Sequence, residues 1–451
     1  MAAAKTWRLP STTAIAAILS ERIDTQRDGV GIVTGVIDAG GSRIIAHGRT
    51  QQRGRTPVGA DTVFEVGSIT KVFTSLVLAD MVLRGETTPD EPVRALLPLG
   101  AVTPSRGGRE ITLRDLATHR SGLPRLPSNF APADPENPYV DYGPEQLLSF
   151  LAGHQLSRDV GERYEYSNLG AGLLGYALSL RAGCDYETLV SERITAPLGM
   201  HDTVITLTPP LRARLARGHN AQMRPVANWD MGVLAGAGAL RSTARDMLKF
   251  LAAVLGLADT PICAAMRAQL AAARVATESP NLTVGLGWHV KKDDYGTATW
   301  HNGGTAGYRA FAGVDLVRGT GVVVLTNASS ARGGDDIASH LLVGTPLAAP
   351  PPWRKRVRVP EAALQRYVGL YRYSPAVTIE ISRAGASLFA DVTNIGRAEI
   401  FPATSTTFYW SSGVKLTFDT NGTADAPALA TQRPGQDPLR AVRESQSSRH
   451  A

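Results

Sequence analysis

The chain has 451 residues, 43% hydrophobic and 19% charged, a globular composition that excludes wholesale disorder and suits roughly two to four domain-sized units. No Gly triplet or sustained heptad is present, which excludes a collagen-like or coiled-coil fibre, and no apolar run reaches the ~18 residues of a transmembrane helix. The net charge is +7, and residues 353–451 carry 13 basic against 8 acidic residues. The excess therefore sits mostly in the tail, where Arg354, Lys355, Arg356 and Arg358 follow a proline run and read as a solvated linker. No basic stripe interleaved with aromatics appears, so no nucleic-acid partner is expected.

Cys184 and Cys263 are too few for a disulfide framework or a zinc site and read as two buried free thiols. Apolar Ala14–Leu19 runs straight into Glu21, Arg22 and Asp24 without a small-residue cleavage site, so no secretory signal is read. The expectation is a cytoplasmic chain or the mature form of a periplasmic or secreted one; the sequence leaves both open.

In chain order, Thr12–Ile23 predicts an amphipathic helix capped by Ser11 or Thr12. Val30–Ile37 and Arg43–His47, joined by Asp38-Ala39-Gly40-Gly41, predict a hairpin. A short extended run, Thr62–Val66, leads through Gly67 into a helix from Ser68, with apolar Val72, Phe73, Leu76, Val77, Met81 and Val82 at helical spacing. Residues 124–142 contain five prolines and no periodicity, which predicts a long loop of the lid or binding type. Further helices fit Pro144–Leu151, Leu169–Arg181, Tyr186–Ile194 and Thr243–Leu255.

Near residue 285 the pattern turns to strands: Gly285–Lys291, Thr297–His301, Ala310–Asp315 and Gly321–Thr326, then a helix over Asp335–Leu342. This order predicts an α+β fold, an antiparallel sheet made from both ends of this region and flanked by helices, with an inserted all-helical region. After the break at 348–352, a helix over Glu361–Tyr367 precedes strands at Val377–Ser382, Ser387–Val392, Ala398–Phe401, Thr406–Trp410 and Val414–Phe418. A small all-β, barrel-like second domain follows from that.

Three short elements carry chemistry. In Ser68-Ile69-Thr70-Lys71, positions i and i+3 share a helical face, so hydroxyl and amine can meet. A serine is a weak nucleophile without a base, and a buried lysine can be that base because desolvation disfavours its ammonium. A plain N-cap role for Ser68 explains the residue equally well. A second match, Ser412-Gly413-Val414-Lys415, runs into a predicted strand, where i and i+3 face apart, and is discarded. In Tyr166-Ser167-Asn168 a phenol at a helix entrance can exchange protons with an amine, and an amide can fix a lysine and bond a substrate amide; Asn168 also reads as an ordinary N-cap. In His301-Asn302-Gly303-Gly304-Thr305-Ala306-Gly307-Tyr308 a strand enters a Gly-rich turn, whose glycines let a substrate lie along the strand edge and leave N–H groups for an oxyanion. A plain hairpin turn is the simpler reading.

Taken together and in this order, the three elements resemble the S-x-x-K, Y-x-N and Lys-Thr-Gly (often His-x-Gly) motifs of the serine β-lactamase and penicillin-binding-protein superfamily, in its class C β-lactamase-like branch. Leu113–Leu123, Pro197-Leu198-Gly199-Met200 and Ala237–Ala244 also look like that family, and the resemblance spans about residues 12–345. The tail, from Tyr367-Val368-Gly369-Leu370-Tyr371 to Phe401-Pro402, resembles the lipocalin-like β domain of some of these hydrolases. The implied organisation is a catalytic domain over 1–346, a linker over 347–359, a lipocalin-like domain over 360–445 and a tail over 446–451.

The resemblance implies an acyl-enzyme serine hydrolase acting on a β-lactam or a D-amino-acid peptide, with no cofactor and no metal. Ser68 would be the nucleophile and Lys71 its base, hydrogen-bonded to Tyr166. Tyr166 would pass a proton to the leaving group and help activate the deacylating water. Asn168 would orient Lys71 and the substrate amide. His301 and Gly303 fall on the third motif, with His301 where the family's Lys supplies positive potential. Backbone N–H groups of Ser68 and Gly304 would form the oxyanion hole. Esterase or acyl-transferring chemistry, as in peptide-cyclising thioesterases, shares the same first half-reaction, and a non-catalytic peptidoglycan-binding module is the rival of another class. His119, His154 and His201 read as isolated structural or surface residues.

Overall fold

The computed structural model describes residues 7–330, 332–350, 357–374, 377–393, 396–410, 414–420, 425–432 and 437–444. Arg354, Lys355 and Arg356 of the expected linker, Ser412 and Gly413 of the discarded motif, and the 446–451 tail lie outside the described residues. The chain divides into two compact units, one comprising residues up to Ser329 and Gly333–Leu347, the other residues from Ala348 on.

The first unit is built on an eight-stranded antiparallel sheet. Its strands are β1 (Gly31–Asp38), β2 (Gly41–Gly48), β3 (Val275–Ala276), β4 (Leu282–Val284), β5 (His289–Asp293), β6 (Gly296–Gly304), β7 (Arg309–Asp315) and β8 (Thr320–Thr326). The order across the sheet is β2-β1-β8-β7-β6-β5-β4-β3. The predicted hairpin forms as read: Asp38 pairs with Gly41, and the Asp38 carboxylate accepts from Gly40 N–H at 2.8 Å. Early and late strands meet in register, from Ile32 opposite Thr326 to Ile37 opposite Gly321.

Alternation along β1 and β8 separates two apolar clusters, because successive strand residues face opposite sides. Ile32, Val36, Val322 and Val324 join Ile15 and Leu19 of α1 (Thr12–Ser20) and Ile337, Leu341 and Leu342 of the C-terminal helix Asp335–Val343. Val33, Ile37, Val323 and Leu325 join the large cluster that includes Leu248 and Leu251 of the helix Ala244–Val254. That cluster continues through the helical region inserted between β2 and β3.

Two strand expectations need correction. The predicted strand over Gly285–Lys291 begins only at His289: Gly287, at φ +73°, turns the chain, and Gly285 N–H bonds to Trp288 O at 2.8 Å. The expected turn at 302–304 is strand, since β6 runs through Gly304 and pairs it with Arg309. Short helices over Leu113–Ala117, Pro209–Arg214 and Cys263–Ala271 were not legible in the periodicity. The two cysteines are free thiols, but half-buried rather than buried.

The second unit is a closed antiparallel barrel of eight strands: β9 (Gly369–Ser374), β10 (Val377–Ala384), β11 (Ser387–Val392), β12 (Gly396–Pro402), β13 (Thr407–Trp410), β14 (Lys415–Asp419), β15 (Ala428–Gln432) and β16 (Leu439–Arg443). Inward residues from every strand pack its bore, among them Tyr371, Ile379, Ala390, Ile400, Phe408, Phe418, Leu429 and Ala441. Tyr367, from the turn before β9, stacks on Phe418 with ring centroids 4.4 Å apart. Kinship of this barrel with lipocalins rests on the sequence resemblance alone.

Candidate active site

The site is assembled around a helix that is buried nearly all round. Its residues from Thr70 to Met81 are shielded from solvent, which fits an apolar sequence without a polar face. Val66 N–H bonds to Leu240 O at 3.0 Å, Gly67 turns at φ +51°, and Ser68 lies in a 3-10 turn over Gly67–Ile69 that feeds the α-helix α2 (Thr70–Leu83). Ser68 stays half-exposed while Lys71 is 2% exposed. Ser68 is not a cap, because the helix begins from Ile69 without a side-chain cap.

Lys71 Nζ donates to Ser68 Oγ at 3.0 Å, to Asn168 Oδ1 at 2.9 Å and to the Ala237 carbonyl at 2.6 Å. Burial holds the Lys71 amine well below its usual range, and the Arg125 charge pushes the same way. Asn168 is available for this because Ser167 does the capping: its Oγ accepts from Gly170 N–H at 2.8 Å and donates to Pro124 O at 2.6 Å. Asn168 opens helix α3 (Asn168–Ala182) with its carbonyl oxygen turned to Lys71. The Ala237 carbonyl was invisible to motif reading, although it lies in one of the stretches that carried the resemblance.

Burial, partly offset by the neighbouring Ser68 hydroxyl and by Arg125, pushes the Tyr166 phenol up to about 12. The expected Lys71–Tyr166 hydrogen bond is replaced by a looser relation: the amine stands 5.0 Å from the ring centroid and bonds to Ser68 instead.

Strand β6 passes directly behind the nucleophile. A Cβ on Gly303 would strike the Val66 carbonyl and come within 3.0 Å of Ser68 N, and one on Gly67 would reach 2.7 Å from Gly304 N. Bare backbone is therefore required at both positions, and it brings the exposed Gly304 main chain beside Ser68. His301 is 1% exposed. Its Nδ1 lies 2.6 Å from Asn302 O, so that nitrogen carries the proton, and Nε2 is buried without a partner. Burial, then the neighbouring His289 and Lys71, hold the imidazole well below its usual range. Position 301 thus supplies a neutral ring, not the positive potential of a lysine.

Two further histidines belong here. His119, expected to be isolated, stacks on Tyr166 with centroids 4.5 Å apart, and its Nδ1 accepts from Ser167 N–H at 3.1 Å. His289, from β5, faces His301 at 4.8 Å and meets the Tyr164 hydroxyl at 3.3 Å; burial, with Lys71 second, pushes it down to about 4. Its strand was expected to start four residues earlier, which hid its place in the sheet. His154 stacks on Phe150 and His201 is exposed, both away from this cluster. Among the described residues no group of three or more His, Cys, Asp or Glu side chains is placed to share a metal ion.

Comparison with known proteins accords with this geometry. A family model described as "Beta-lactamase" matches residues 15–344, and one described as "Domain of unknown function (DUF3471)" matches 354–442. The D-alanyl-D-alanine-carboxypeptidase/endopeptidase AmpH of Escherichia coli is 33% identical over 221 residues, 49% of this chain and 56% of that protein. The chain thus spans about half the length of that relative. A penicillin-binding protein of Bacillus subtilis is 24% identical over 402 residues, 83% of this chain and 87% of that protein. The structure of a β-lactamase/D-alanine carboxypeptidase from Yersinia pestis, complexed with citrate, superposes with a TM-score of 0.61 at 26% identity, covering 70% of this chain and 93% of that one. A class C β-lactamase from Rhodobacter sphaeroides gives 0.63 at 25% identity, covering 73% and 98%. The first unit therefore has the class C β-lactamase-like fold, and the chain belongs to the beta-lactamase family.

Proposed function

We propose that the protein is a serine hydrolase that forms an acyl-enzyme on Ser68 and hydrolyses an amide bond of a β-lactam or a D-amino-acid peptide. The observation that carries this reading is a buried amine of lowered pKa, 3.0 Å from a half-exposed serine hydroxyl. Burial disfavours the ammonium form of such an amine and so favours the free base that activation of serine needs.

Lys71 takes the Ser68 proton as Oγ bonds to the substrate carbonyl carbon. The carbonyl π pair moves onto oxygen, where the Ser68 and Gly304 N–H groups donate. Collapse of that intermediate breaks the carbon–nitrogen bond, and the nitrogen leaves with a proton from Tyr166, which regains one from the Lys71 ammonium. A phenol titrating near 12 is protonated at neutral pH and suits the donor role. Asn168 holds Lys71 through Oδ1 and keeps its NH2 for the substrate's amide carbonyl. Water then repeats the sequence on the ester, with the same groups in reverse order. The names borne by the Escherichia coli and Yersinia pestis relatives support a D-alanyl peptide or a β-lactam as substrate.

Intact-mass spectrometry after exposure to nitrocefin, D-Ala-D-Ala peptides, p-nitrophenyl esters and a peptide thioester tests this. The expected result is an acyl adduct from the lactam or the D,D-peptide that is absent in Ser68→Ala. Adducts from the esters alone would move the substrate class to ester or thioester chemistry, and no adduct from any donor would overturn catalysis in favour of a binding module.

A further inference from the structure

One exposed cation faces this site without a counter-ion among the described residues. The Arg125 guanidinium carbon lies 5.3 Å from the Tyr166 ring centroid. The side chain is exposed and forms no ion pair or hydrogen bond with the described residues. An unpaired surface arginine is ordinary, but this one is pinned at the catalytic groups. Its carbonyl accepts from both Asn168 N–H, at 3.0 Å, and Leu169 N–H, at 3.1 Å. Its charge is felt by Lys71, His119, Tyr139, Tyr164 and Tyr166, and no carboxylate acts on any of those five.

The loop that bears it is braced. Tyr139 packs on Phe130 at 5.0 Å and on Trp229 at 5.3 Å, while Asn137 and Asp230 exchange two hydrogen bonds, of 3.0 and 2.8 Å. A guanidinium laid on an aromatic face keeps its N–H edge free, and that edge fits a carboxylate in two parallel bonds. The strand on the other flank of Ser68 offers a neutral imidazole at 301, so the fixed positive charge of the site comes from the Asn168 side.

We propose that Arg125 binds a carboxylate on the acyl side of the substrate, beyond the amide carbonyl held by Asn168. The proposal rests on the acyl-enzyme reading above. It places the anion-recognising charge on the loop after Pro124 and assigns the enzyme acyl donors with an anionic substituent.

Three thioester donors separate the possibilities: a succinyl-glycyl thioester and its neutral succinamoyl analogue with the same uncharged thiol, and the succinamoyl donor carrying thioglycolate as leaving group. Thiol release by the full chain gives kcat/KM for wild type, Arg125→Met and Arg125→Lys. Wild type is expected to prefer succinyl over succinamoyl by about 10- to 100-fold, the worth of a charge-assisted pair. That ratio should collapse toward one in Arg125→Met and return in part in Arg125→Lys. Equal ratios in wild type and both variants, or a collapse confined to the thioglycolate pair, would overturn the proposal while leaving the acyl-enzyme intact. Absence of a Ser68 adduct from every donor would instead remove the reading beneath it.

Discussion

The imidazole of His119 and the phenol of Tyr166 lie nearly parallel, 29° apart. The same imidazole accepts the Ser167 N–H, so one side chain sets both the tilt of Tyr166 and the main chain beside it. His119→Ala removes the stacking surface and leaves a buried N–H without its acceptor. A stability loss of about 1–3 kcal/mol is expected, together with a ~10- to 100-fold drop in kcat from misplacement of Tyr166. Thermal denaturation and steady-state rates on one preparation check both; an unchanged kcat would remove His119 from the positioning of the phenol.

Lys71→Ala deletes the base and should slow acylation by ~10²–10⁴-fold. In wild type the acylation rate should rise with pH as the Lys71 ammonium loses its proton, at a pH well below the usual lysine range. Arg125 is the second cause of that lowered value. Arg125→Met should therefore raise the Lys71 pKa and carry the acid limb to higher pH. Single-turnover acylation of a neutral donor across pH 4–9 (roughly the window a general base near neutrality spans) reads the limb. A limb that stays in place or moves down contradicts the assignment.

The same shift has a thermodynamic signature. The folded-state pKa of Lys71 lies below its unfolded value of 10.5, so between the two the unfolded chain binds a proton that the folded chain does not. Wild-type stability from this group is fully present above 10.5 and is lost as pH falls toward the folded value. Lys71→Met has no such dependence. The difference in Tm between the variant and wild type should grow in the variant's favour as pH is lowered from about 10.5 toward neutrality. A difference independent of pH would mean that Lys71 is charged in the folded protein.

Gly303→Ala tests the close passage of strand β6. The added methyl meets backbone, which cannot swing aside as a side-chain end could. Overpacking of this kind costs about 1–3 kcal/mol. The strand edge should move away from Ser68 and take Gly304 N–H with it, so acylation should fall by ~10²-fold or more, the usual loss for one oxyanion donor. Gly153→Ala, at a helix end where nothing lies within 4 Å of the added carbon and φ is not left-handed, controls for glycine replacement; equal acylation in the two variants would contradict the crowding argument.

Spacing made the Ser68–Lys71 pair legible, since neighbours three apart on a helix must meet. It could not say whether Ser167 or Asn168 caps the next helix, because both residues cap well and the choice is made by the Pro124 carbonyl, more than forty residues away. The partner of Lys71 on Ala237 is a main-chain oxygen, which any residue type carries. Gly303 and Gly304 look like turn residues in sequence, yet the Val66 backbone occupies the space of a side chain at 303 and the Arg309 side chain occupies it at 304. In the barrel, β16 escaped reading because its inward face carries only the small Ala441, with Leu439 exposed at the strand's end, while the apolar Val442 points outward.

The packed bore of that barrel limits what the second unit can offer. Phe408, Phe418 and Tyr371 meet ring to ring within it, and Tyr371 bonds back to the Tyr367 carbonyl at 2.9 Å, so a cargo could fill the centre of the bore only by displacing those aromatic groups. What recognition this unit offers falls to its periphery, where the hollow between Pro360, Leu388, Glu399 and Phe408 lies open beside the staves.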